Sequence, residues 1–349
     1  MVLPNHPIPP CNRERIRALD RALVRSVADL RGPPTTAERL AVTGRLLALA
    51  LALGAGAVVY WLPSGGLAGL AGLPGLAALA GLLIAGVAYA LLLVATHEMV
   101  HGSLWGWNSL EQGLGCLLSW PMAWPFATYA RLHRLHHRWN GLDRRDPERT
   151  QALPGDALAA TPVGAWLERH PFAVRCLLLG GVGLILDTVR KGWRLRPVEA
   201  GLHRAQLTDG AGVLGLHAVL LVWAVRQGVL GRYVLFWLVL ERVIGAIVQY
   251  RGLVEHHGLW PDGGGSGATA ALPHRLRQLA TTRDVACGTW LNALMGGLPH
   301  HSAHHVFPMV PSARLPEVSA RLQAVLQAHG WPLPSRLGGY GKGLTMKER

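Results

Sequence analysis

Histidine is the residue type whose placement could do chemistry: eleven of the 17 histidines fall in four short clusters. The first is His97-Glu98-Met99-Val100-His101, whose imidazoles, four residues apart, share a helix face and can reach one metal ion. The second is His133-Arg134-Leu135-His136-His137, and the third is His301-Ser302-Ala303-His304-His305, preceded by His300. Each sets three imidazoles at i, i+3 and i+4, on one side of a helix. The fourth is Glu255-His256-His257. A single histidine is usually structural, whereas two HxxHH boxes joined to an HxxxH box form a ligand pattern. Eight or nine imidazoles are too many for one ion and suit two. All-imidazole ligation fits iron, zinc, copper or nickel and does not choose among them.

Two other readings compete. Taken alone, HExxH is the zinc metalloprotease signature, with Glu98 as general base. Such a site needs three protein ligands and an open position, which leaves both HxxHH boxes unused. A membrane metal carrier would set its ligands along a path inside its spans, whereas these clusters lie outside the spans. The four cysteines are scattered without a CxxC pair, so they predict neither a disulfide framework nor a thiolate site. Residues 261–271 are Gly-rich, but no GK[ST] follows, so they are no phosphate cradle.

The elements that position the clusters belong to a membrane protein. Of the 349 residues 15% are charged, and residues 46–96 contain no Asp, Glu, Lys or Arg. Apolar runs predict spans at about 46–62, 76–96, 211–228 and 233–250, the first ended by Pro63-Ser64-Gly65-Gly66. The Gly-Leu-Ala repetition at 66–81 is read as small residues that allow close helix packing. Residues 112–130, with Trp120, Pro121, Trp124 and Pro125, suit a re-entrant or interfacial segment, and the apolar run at 176–186 is too short to cross. The N-terminal 43 residues carry seven arginines and no apolar signal run, which places them in the cytoplasm. With four crossings every histidine cluster then falls on the cytoplasmic side.

The fold expected is therefore all-α and integral to the membrane: about four transmembrane helices under a cytoplasmic, histidine-rich helical cap. Its parts are a basic arm at 1–43, a membrane domain at 44–318, and a tail at 319–349 with an amphipathic start and a loose Pro/Gly-rich end. Glu241 and Arg242 lie mid-span and should face the bundle interior with separate partners. Arg226 and Arg232 should snorkel to the outer interface. Arg275, Arg277 and Arg283 should line the cytoplasmic face, towards solvent, anionic lipid or an acidic electron donor. The net charge of +14 lies outside the apolar blocks and follows the positive-inside bias, so nucleic acid is not an expected partner. Lys191, Lys342 and Lys347 are the only lysines; that Arg bias points to a GC-rich bacterial genome and hence to a bacterial inner membrane.

From about residue 85 to 318 the chain resembles the membrane fatty acid desaturase family, which includes related hydroxylases and ketolases. The resemblance rests on HEMVHG at 97–102, RLHRLHHRWN at 131–140, Asp146-Pro147, Arg251, Glu255-His256, and HSAHHVFPMVP at 301–311 with Leu315-Pro316-Glu317. It implies a non-haem centre of two iron ions (Fe2+/Fe3+) held by His97, His101, His133, His136, His137, His301, His304 and His305, with His256 as a ninth ligand. It makes Asp146 and Glu255 candidates to orient ligand imidazoles, and leaves His257 and His300 as structural neighbours. The implied reaction is O2-dependent desaturation of a fatty-acyl lipid or acyl thioester. Hydroxylation or ketone formation on an alkyl or carotenoid-like substrate is the alternative, faintly echoed by VEHHGL at 254–259. Two departures matter. Gly252 stands where some relatives place an Asn that ligates through water, and no HPGG haem motif is present, so electrons must come from an external ferredoxin or cytochrome b5-like donor. Three residues separate the histidines of the first box, as in acyl-lipid desaturases.

Overall fold

The computed structural model describes residues 13–62, 72–153, 155–156, 161–260 and 269–345. Helix α1 (Arg13–Ser26) precedes two long helices, α2 (Thr36–Trp61) and α3 (Gly72–Met99). Next come α4 (Asn108–Ser119), α5 (Phe126–Trp139), α6 (Pro162–Arg169) and α7 (Gly180–Arg194), the last entered through a π-helical turn at Ala173–Leu179. Two further long helices, α8 (Gly201–Arg226) and α9 (Leu230–His256), lead into α10 (His274–Thr281). The chain then forms strand β1 (Arg283–Val285), α11 (Thr289–Leu294), α12 (His301–Val306), α13 (Leu315–Ala328) and strand β2 (Ser335–Leu337).

Among the described residues four helices are long and apolar enough to cross a membrane: α2, α3 from Gly75, α8 and α9. Their apolar centres are those the hydropathy predicts, but each helix runs further. A capping box starts α2 early: the Thr35 hydroxyl accepts from the Glu38 backbone N–H at 3.2 Å, and the Glu38 carboxylate accepts from that of Thr35 at 2.7 Å. Helices α2 and α3 pack closely because Gly56 and Gly81 face each other; a Cβ on Gly56 would sit 2.5 Å from the Gly81 carbonyl oxygen. The break at 63–66, the repetition up to residue 71, the Gly-rich loop at 261–268 and Cys11 lie outside the described residues.

The segment at 112–130 is a helix–turn–helix. Asp209 of α8 ties its turn down, accepting from Trp120 Nε1 at 3.1 Å, the Ala127 amide at 3.1 Å, and the Thr128 amide and hydroxyl, each at 2.7 Å. Beside the spans, α1 docks on α13, so Leu19 and Leu23 share a core with Leu276, Leu298, Leu315, Val318 and Leu322. Arginine is part of that docking: Arg314 holds Glu38 at 2.7 Å, and Arg321 holds Asp29 at 2.6 Å.

Several expectations need correction. Glu241 and Arg242 pair with each other; the Arg242 guanidinium folds back and also caps the carbonyls of Leu177, Leu178 and Leu179, while Glu241 accepts from the Val182 amide at 3.1 Å. Arg232 is buried and does not snorkel: it donates to the Tyr60 carbonyl and lies 5.0 Å from the Trp61 ring. Arg277 and Arg283 are likewise buried, Arg283 donating to the Val254 carbonyl at 2.6 Å, whereas Arg275 pairs with Asp20 at 3.1 Å. The tail is not loose over its described part. Strand β2 pairs in parallel with β1, which is also the one departure from an all-α fold among the described residues.

Candidate metal centre

Four helices deliver the box histidines to one place. His97 lies in the last turn of α3 and His101 just beyond it, where a backbone bond from His101 to the Glu98 carbonyl at 3.0 Å tightens the turn. Helix α5 supplies His133, His136 and His137; α12 supplies His301, His304 and His305; His256 is the final residue of α9. The six-residue α12 would be marginal alone. Asp284 anchors its first turn, accepting from the Ser302 amide at 2.8 Å.

The donors separate into groups. Ring nitrogens of His101, His133, His137 and His304 all lie within 4.8 Å of one another. So do those of His136, His256 and His305, and so do donor atoms of Glu255, His256 and His301. His133 Nε2 and His137 Nε2 are 3.0 Å apart, and His256 Nε2 and His301 Nε2 are 2.7 Å apart. Two nitrogens bound at right angles to one ion at about 2.1 Å would be about 3 Å apart. The second and third groups share His256 and so form one, and it adjoins the first, since the His137 and His305 rings stack at 4.1 Å. His97 lies outside both compact groups, although its ring is 4.3 Å from that of His133 and 4.6 Å from that of His304.

The site also passes a test of fit to metal. Buried ring nitrogens of His97, His101, His136, His137, His256, His304 and His305 have no hydrogen-bond partner among the described residues. Orphaned buried polar atoms at this density call for a ligand. Burial, reinforced by the neighbouring imidazoles, holds His101, His137, His301, His304 and His305 well below the usual histidine pKa, in the neutral form that ligates metal. At His136 burial acts the same way, but the Asp146 and Glu148 carboxylates outweigh it and the net shift is upward.

Carboxylates and an amide hold the rings from behind. His136 Nδ1 donates to Asp146 at 2.8 Å and His133 Nδ1 to Glu148 at 2.7 Å. His305 Nδ1 donates to Gln278 Oε1 at 2.9 Å; Glu255 Oε2 comes to 3.4 Å from His301 Nδ1 without forming a hydrogen bond. Such hydrogen bonds fix tautomer and ring orientation. Glu255 is itself held by Arg251 at 2.8 Å and by the Tyr340 hydroxyl at 3.4 Å. The sequence reading named Asp146, which meets His136, and Glu255, which makes no hydrogen bond to a box histidine; it did not name Glu148, Gln278 or Tyr340. Glu148 sits two residues after Asp146, which accepts from its backbone amide at 2.9 Å, so an acidic pair beside Pro147 was the available signal. Nothing local marked Gln278 or Tyr340. His257 and His300 fall outside the donor groups, His257 Nδ1 lying 3.2 Å from the Thr150 carbonyl. Glu98 is turned away to Arg45 of α2 at 3.3 Å, so HExxH does not supply a general base to the donor groups.

A cavity of about 950 Å³ runs past the centre. Its lining combines Leu93, Trp124, Leu184 and Val248 with Arg144, Arg190 and Lys191, and His97, His256 and His301 form part of its wall. Gly252 also lines it, and a Cβ there would meet open space.

Fold and site together define a helical membrane protein with a paired polyhistidine centre beside a cavity lined by both apolar and charged side chains. A family model described as fatty acid desaturase matches residues 73–336, and the chain belongs to that family. It is 34% identical over 59 residues to the Delta(8)-fatty-acid desaturase of Borago officinalis, 17% of this chain and 13% of the relative. It is 39% identical over 54 residues to the Delta 8-(E)-sphingolipid desaturase of Kluyveromyces lactis, 16% of this chain and 9% of the relative. With the Delta 8-(E)-sphingolipid desaturase of Candida albicans the identity is 43% over 49 residues, 14% of this chain and 8% of the relative. The chain thus aligns with only a small part of each relative's length.

Proposed function

We propose that this chain is an O2-dependent desaturase of fatty-acyl chains, carried by a lipid or a thioester, with a centre of two iron ions. The observation that carries this reading is the convergence of the histidine donor groups beside a cavity that His97, His256 and His301 help to wall and that Leu93, Trp124, Leu184 and Val248 line in part. His101, His133, His137 and His304 would hold one ion, and His136, His256, His301 and His305 the other, with His97 beside the first. When bound, such a pair of ions supplies the O2 activation needed to take hydrogen from an unactivated C–H bond. The chain's own part is to bind the acyl tail in the cavity, exclude water and keep the imidazoles oriented. Glu148, Asp146 and Gln278 do the orienting.

In this reading the N-terminus and all four histidine clusters face the cytoplasm, the bilayer is a bacterial inner membrane, and electrons arrive from a ferredoxin or cytochrome b5-like protein. The basic flank of α2 and the ends of α3 and α9 on one side support the orientation. The test is gas chromatography–mass spectrometry of acyl chains from a bacterial host expressing the protein, beside a His304→Ala strain. A double bond formed only with the intact protein is the expected result. A new hydroxyl, or no acyl product in a host given a matched electron donor, would overturn it.

A further inference from the structure

A second cavity, of about 230 Å³, shares α3 and α9 with the main one and is closed by Trp61 of α2 and by Leu220 and Trp223 of α8. Met122 lines both. The lining of α9 steps by four residues along one face: His256, Gly252, Val248 and Ile244 border the main cavity, then Leu240 and Phe236 border the second. Helix α3 repeats the pattern, with His97 and Leu93 on the main cavity and Tyr89 on the second. At about 1.5 Å per residue, the track from His256 reaches Ile244 at about 18 Å and Phe236 at about 30 Å. The two linings therefore continue one another along α3 and α9 and meet at Met122, which belongs to the same buried cluster as Tyr89, Leu92 and Leu240.

The meeting point combines a fixed backbone with a pliant side chain. Met122 ends a 3-10 turn (Trp120–Met122) followed by Ala123 at φ 54°, and Asp209 pins the Trp120 indole. Its unbranched thioether has three rotatable bonds and can change rotamer without moving that turn. On the acyl-chain reading above, we infer that the second cavity is a subsite for the methyl end of long acyl chains, and that the Met122 side chain is the stop between it and the main cavity.

The test uses the full chain in detergent and a graded series of saturated fatty acids, free and as acyl thioesters, competing with a fluorescent polyene fatty acid, so it does not depend on turnover. Affinity in the parent should rise with length and then level off. Met122→Ala should move that plateau to longer chains, by about fourfold in affinity for each further methylene buried. Met122→Leu, which conserves volume, should keep the parent plateau. Adding Leu220→Trp, which fills the second cavity, to Met122→Ala should restore the parent plateau. A Met122→Ala protein that still binds the probe but keeps the parent plateau overturns the inference, as does a shift that survives Leu220→Trp. If the parent binds neither a free fatty acid nor an acyl thioester of any length, the acyl reading itself fails and takes this inference with it.

Discussion

Replacing Asp146 by Asn tests how the chain holds one of its two donor groups. The Asp146 side chain is fully buried, and its two oxygens lie 2.8 and 3.0 Å from His136 Nδ1. One of them also accepts from the Glu148 amide at 2.9 Å. Asn keeps the shape but removes the charge and leaves one acceptor oxygen for two donors. Losing such an outer partner costs about 10- to 100-fold in metal affinity, or about 1.4–2.7 kcal/mol. His136 belongs with His256 and His305, not with His101, His133, His137 and His304, so one ion should suffer and not both. The assay is iron per chain by plasma mass spectrometry during a timed chelator challenge of the purified protein. One of two irons should leave 10- to 100-fold faster than in the parent. Glu148→Gln, behind His133, should loosen the other ion instead. Retention unchanged in Asp146→Asn would refute the reasoning.

Three further outcomes follow from buried polar contacts. The Arg45–Glu98 pair has side chains 10% and 0% exposed, so Arg45→Ala should destabilise by about 3–5 kcal/mol and a double change to apolar residues should recover most of it, read by denaturant unfolding in micelles. Asp209→Ala removes the acceptor of four hydrogen bonds and should raise hydrogen exchange at the Ala127 and Thr128 amides well above that of the α5 interior. Truncation before Ser335 removes β2 and Tyr340, so the Ala286 amide, which donates to the Leu337 carbonyl at 2.8 Å, should lose exchange protection, whereas the Val285 amide should keep it through its bond to Pro299.

Hydropathy made the four long helices legible because an uncharged run has little other use. It misplaced their ends because charged residues marked the runs as finished, whereas capping and pairing carry the helices on. Arg45 is a case: it sits inside α2 because Glu98 waits for it on α3. Arg232 and the Glu241–Arg242 pair were misread for a related reason. A long side chain can curl onto a nearby carbonyl or its neighbour's carboxylate, a choice made by tertiary contacts and invisible to helix-face arithmetic. The box histidines were legible because i, i+3, i+4 spacing survives into three dimensions. Their division into two groups was not, since each group draws on separate helices. Gln278 and Tyr340 reach the centre from segments distant in sequence, one through His305 and the other through Glu255.

The most direct test of the central claim is anomalous diffraction at the iron edge from crystals of the iron-loaded protein. The account predicts two peaks, one among His101, His133, His137 and His304 and one among His136, His256, His301 and His305. A single peak, or a site that holds only zinc, would contradict it.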